Sequence, residues 1–138
     1  MAATVEATIA ELLFARAAAL VLNPALPVAY PGRSFTAPAG PYLRVDFIPN
    51  RTDNFGLADD ATARHQGILQ VMAIYPVGAG VIKATDTGGL IASHFAKGTI
   101  LYGSGVKLKV YQKPSVGGPL IEPDRINVPV TILWRSFN

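Results

Sequence analysis

The chain opens on a helical stripe. Val5, Ile9, Leu13, Ala17, Leu20 and Val21 recur at three- and four-residue intervals, the spacing that gathers apolar side chains on one face of an α-helix. The pattern predicts a helix from about residue 4 to residue 22. Thr4 is placed to cap it, because a threonine oxygen accepts from the free N–H groups of a first turn. Glu6 follows where the helix dipole favours an acid. Asn23-Pro24 should stop the helix, since the residue before a proline avoids helical backbone. Five prolines (Pro24, Pro27, Pro31, Pro38 and Pro41) then mark an extended surface connection, with room for one short edge strand at Val28-Ala29-Tyr30.

The period next changes to two. In YLRVDFI (42–48), Leu43, Val45 and Phe47 face one way and Arg44 and Asp46 the other, which predicts a half-buried strand. GILQVMAIY (67–75) is apolar on both faces, as in a central strand. After PVGAG (76–80), Val81, Ala84, Gly88, Ile91 and Phe95 return to helical spacing over about 79–97, with Lys97 in the last turn and Gly98 as the expected C-cap. Gly88-Gly89 weakens this helix by about 1 kcal/mol per glycine relative to alanine, so either it kinks there or something packs closely against it. Ile100-Leu101-Tyr102 and VKLKVY (106–111) read as a hairpin turning at Gly103-Ser104-Gly105. Val106, Leu108 and Val110 point inward; Lys107 and Lys109 point out. PSVGGP (114–119) reads as a turn. In INVPVTILWR (126–135), Ile126, Val128, Val130, Ile132 and Trp134 share one face. Pro129 lacks a ladder donor and predicts an edge strand or a bulge at that point. The order implies an α+β fold: one domain over 1–138, a mainly antiparallel sheet with two helices packed on one face.

One stretch, NRTDNFGLADDATARH (50–65), has no period and is polar. A connection of this length within a compact unit is functional or mobile. Its Arg51, Asp53, Asn54, Phe55, Asp59, Asp60 and Arg64 suit a polar partner surface, and form a candidate assembly loop that is mobile in the free subunit and ordered on assembly.

Half of the residues are hydrophobic and only 15% are charged, so the chain has apolar surface for a real core. Any surplus marks either a partner interface or a larger core. Without cysteine there is no disulfide, thiol catalysis or cysteine-held metal. Glu6 and Glu11 precede the first basic residue, Arg16, which is unlike a signal peptide, and the three charges interrupt any membrane-spanning window. The net charge is +3, but the basic residues are scattered except for Lys107, Lys109 and Lys113. No recognition motif accompanies them, so sequence-specific nucleic-acid binding is not expected.

Chemical motifs fail on inspection. Gly78-Ala79-Gly80 lies between strand and helix, but Lys83 stands where a dinucleotide fingerprint needs its third glycine. Gly103-Ser104-Gly105 lacks the spacing of a nucleophile elbow. His65 and His94 each stand alone without a second ligand at metal spacing. Asp59-Asp60 lies in a polar loop without the burial that tunes carboxylates for acid–base work. No enzyme, cofactor or metal site is expected.

The landmarks in order are PYLRVDFIPN (41–50), HQGILQVMAIYPVGAG (65–80), IASHFAKGTIL (91–101) and RINVPVTILWR (125–135), behind an amphipathic helix and a proline-rich stretch. Together, over about residues 3–137, they resemble the small tail-terminator proteins of long-tailed phages and prophages. Gly88-Gly89 departs from the smoother helix of that family. The resemblance implies a compact α+β subunit that assembles as a homo-hexameric ring on the last ring of the tail tube. Such a ring stops tube growth and docks the head-completion or connector protein. It implies a place in the virion at the head-proximal end of the tail, after assembly in the host cytoplasm, and it brings no catalytic residues. The alternatives are a head-tail connector or minor tail protein, or a small ligand-binding module, which a buried pocket with converging titratable groups would favour.

Overall fold

The computed structural model describes residues 4–54, 56–59, 62–78 and 80–137. Helix α1 (Val5–Ala18) leads into strand β1 (Val28–Ala29), β2 (Tyr42–Pro49), β3 (Asp53–Asn54) and β4 (Ala63–Pro76). Helix α2 (Ile82–His94) follows, then β5 (Ile100–Gly103), β6 (Val106–Val110), β7 (Ser115–Val116), β8 (Leu120–Ile121) and β9 (Arg125–Phe137). The strands form one curled sheet in the order β1-β2-β4-β9-β6-β5. All pairs are antiparallel except β1 with β2. This is the expected α+β architecture.

Register puts the alternating residues of the three long strands on one face. Val45 lies opposite Val71, and Val71 opposite Val130; Phe47, Leu69 and Ile132 form the next row. Both helices pack on this face. Ile9, Leu13 and Ala17 from α1 and Ala84, Ile91 and Ala92 from α2 join the strand residues and Phe95 in a single buried cluster. α1 comes so near the β5–β6 hairpin that a Cβ on Gly103 would lie 2.9 Å from Leu12 Cδ2. The helices are also tied to each other: the Arg16 guanidinium donates to the His94 carbonyl at 2.7 Å, and His94 Nε2 lies 2.6 Å from the Arg16 carbonyl. A cation on the last carbonyls of α2 complements the negative end of that helix.

Local signals account for most boundaries. Thr4 Oγ1 accepts from Ala7 N–H as the N-cap of α1. The helix ends four residues earlier than its stripe predicts: the bonds tighten from four-residue to three-residue spacing, with Ala19 N–H also reaching the Arg16 carbonyl and Leu20 N–H the Ala17 carbonyl. Val21 is thereby left 89% exposed instead of on the apolar face. α2 is shorter than 79–97. Phe95 is its C-cap, bonded to the Ile91 carbonyl. Lys97 and Gly98 lie beyond it, where Gly98 N–H reaches the Val110 carbonyl and begins the sheet connection. The β5–β6 turn is two residues, Ser104 and Gly105, both with positive φ (48° and 77°), the geometry a tight hairpin requires.

Two expectations for the end of the chain are corrected. β9 is a central strand, paired with β4 along its length rather than at an edge. On its other side residues 106–121 run past as β6, β7 and β8 in succession. So PSVGGP is not merely a turn; it contains β7. Pro129 is tolerated because its carbonyl accepts from Gly117 N–H at 2.7 Å. Carbonyl and nitrogen of one strand residue point the same way, so the missing donor faces the gap between β7 and β8. Among the described residues no helix covers the opposite sheet face, and across it Ile48, Ile68 and Leu133 stand in one row.

Candidate assembly surface

Beyond Asn50 the sheet continues as a projecting hairpin. β3 takes over from β2 alongside β4, with Asp53 opposite Arg64 and Asn54 opposite Ala63. The stretch read as a loop over 50–65 is therefore partly strand, since β4 begins at Ala63. The cause is a charged clasp that no periodicity reports. Asp53 Oδ2 accepts from Arg64 Nη2 at 2.6 Å and from Gln66 Nε2 at 2.9 Å, while Arg51 Nε lies 3.8 Å from its other oxygen. The hydrogen bond from Arg64, ahead of the nearby positive charges, holds the Asp53 carboxyl below its ordinary range. Thr52 Oγ1 is 3.4 Å from His65 Nδ1, and Glu6 on α1 is 3.9 Å from the same nitrogen.

Of the seven candidate residues, the structure brings together Arg51, Asp53 and Arg64. Asn54 is on the paired strand with its side chain exposed, and Asp59 is exposed near the tip. Phe55 and Asp60 lie outside the described residues. Sequence reasoning missed Gln66 in the clasp and Leu57 at the tip. Leu57 is 105% exposed, an isolated large apolar side chain in solvent. Its position as the one aliphatic leucine in a polar stretch was the available signal.

Ser104 is in the exposed β5–β6 turn, and the Lys107 ammonium lies 5.7 Å from the Tyr102 ring centroid. A cavity of about 310 Å³ opens between the proline-rich connection and α2, lined by Leu22, Pro24, Tyr75, Lys83, Asp86 and Thr87. Tyr75 and Thr87 hydroxyls bond each other at 2.6 Å, and Lys83 and Asp86 are exposed. Its titratable groups thus do not converge on an enclosed point. Among the described residues no three His, Asp or Glu side chains are grouped to hold a metal, and no helix is long and apolar enough to cross a membrane.

Comparison with known proteins gives two matches. A family model described as phage tail terminator protein matches residues 8–134. A solved structure whose name states no function is 26% identical, covering 91% of this chain and 94% of its own, with a TM-score of 0.74. No curated protein matches.

Proposed function

Since this chain belongs to the phage tail terminator family and is a structural component of a phage tail, we propose that it forms a ring, a homo-hexamer, on the end of the tail tube. There it stops polymerisation of the tube protein and offers its far side to the head-completion or connector protein. The work is done by surfaces, without catalysis. It belongs at the head-proximal end of the tail, after assembly in the host cytoplasm.

The family match over nearly the whole chain carries this reading. The surface supports it in kind. A closed ring needs two unlike contact regions on each subunit and hides sheet edges that would otherwise pair at random. The sheet ends in β1 on one side and β5 on the other. Large apolar side chains stand in solvent at several points, Tyr102 and Ile121 each at 68% exposure. The hairpin beyond Asn50 has a base fixed by the Asp53–Arg64 pair and an exposed tip, so it can reach a neighbour without first paying the full entropy of ordering.

Mass photometry of the purified protein, alone and with isolated tail tubes, tests the proposal. A species near six times the subunit mass, appearing alone or on tubes, is expected. A protein that stays monomeric and never associates with tubes contradicts it.

A further inference from the structure

On the flank of the sheet opposite the hairpin lies an open groove of about 730 Å³ between α2 and the strand residues before β9. Gly89 and Ala92 of α2, with Ala96 just past its end, form one side, and Pro114 and Val116 the other. The two adjacent glycines of α2 differ here. A Cβ on Gly88 would lie 3.1 Å from both Val116 Cγ1 and Val128 Cγ1, so Gly88 lets the helix close on the sheet. A Cβ on Gly89 would meet nothing within 4 Å. Packing within the subunit therefore explains Gly88 but not Gly89, although each glycine weakens a helix. Gly89 lines the groove and puts no side chain into it.

We propose that this groove receives the hairpin tip of a second copy of the chain, with Leu57 seated over Gly89. The inference rests on the ring-forming reading above and names the contact that builds the ring. Three observations select this occupant. Leu57 is a fully exposed apolar knob, and the groove is an apolar hollow of matching character. Exposed Lys97 and Lys113 line the groove, and Asp59 follows Leu57 in the exposed tip. None of these three charges forms an ion pair among the described residues, and opposite charges on facing rims set register and speed encounter. Third, the hairpin continues the β2 side of β4, while β7 lies on the far side of β9. Knob and hollow thus occupy opposite flanks, as a head-to-tail contact that closes into a ring requires.

The chain lacks cysteine, so a Ser93→Cys variant carries one benzophenone photo-crosslinker in the groove. It is mixed with isotope-labelled wild type, incubated with tail tubes, irradiated and digested with trypsin. The expected product joins the probe to peptide 52–64 of the labelled copy. If rings form but the probe attaches elsewhere on the copy, or to the tube protein, the inference is overturned and the ring reading stands. If no assembly forms, both fall. A second variant, Gly89→Leu, fills the groove without touching the core. It should keep or raise the thermal midpoint and lose self-association; rings formed as in wild type would overturn the inference.

Discussion

Replacing Trp134 by alanine should bring the domain close to unfolding. Trp134 is 2% exposed and stacks on Phe47 with centroids 5.8 Å apart and planes 10° from parallel. It pairs with Gly67 of β4, where even a Cβ would lie 2.9 Å from Trp134 Cζ2 and 2.6 Å from the Ile48 carbonyl oxygen. The surroundings on that side are backbone of two hydrogen-bonded strands, which cannot collapse into the space an alanine leaves. Truncating a buried aromatic costs about 3–5 kcal/mol, and losing the stacked pair takes the value to the upper part of that range. Against a total of roughly 5–15 kcal/mol for a domain, little is left. Urea unfolding followed by circular dichroism measures this without the indole as a probe. Lys107→Ala and Lys109→Ala, on the solvent face of β6, serve as controls and should stay within about 0.5 kcal/mol of wild type. A Trp134→Ala variant as stable as the lysine variants would refute the packing argument and the face assignments of β6 and β9 with it.

Other perturbations separate neighbouring residues. Gly89→Ala should stabilise by about 1 kcal/mol through helix propensity, whereas Gly88→Leu, driven into Val116 and Val128, should destabilise by about 1–3 kcal/mol; thermal melts compare them. Arg16→Met removes a charged donor from the His94 carbonyl and should cost about 1.5–3 kcal/mol, seen as a lower urea midpoint. The Asp53 clasp should respond to acid. Its folded pKa is depressed, so its contribution is complete above the ordinary carboxylate range, near pH 4, and is lost as pH falls through the lower folded value. Protection of the Asn54 and Arg64 amides, taken relative to intrinsic exchange at each pH, should fall over that acid window in wild type and show no such step in Asp53→Asn.

Regular alternation made much of the sheet legible. In β9 every second residue from Ile126 to Trp134 is buried, as the sequence pattern requires, and the same holds for Val106, Leu108 and Val110. The face of α2 was readable for the same reason, and of the two readings of Gly88-Gly89, a kink or close packing, close packing holds at Gly88, while Gly89 faces open space. What escaped depends on partners distant along the chain. β7 and β8 are two exposed residues each, with no period of their own; they exist because β9 offers them hydrogen bonds. Pro129 suggested an edge, but the interruption it needs lies in the neighbouring segment instead. Val21 continued the helical stripe in sequence after the helix had ended at Ala18. In the candidate assembly region, the charges were visible but not their pairing: Asp53 and Arg64 are 11 residues apart, with nothing between them to signal that they meet.

A protein that ends a tail tube must set tube length, so tube length tests the proposed role most directly. Purified tube protein is polymerised with and without the chain added after elongation has begun, and lengths are followed by negative-stain electron microscopy. Growth should stop on addition, with a ring of density on one end of each tube. Tubes that keep elongating at the same rate, with bare ends, would contradict a terminator role.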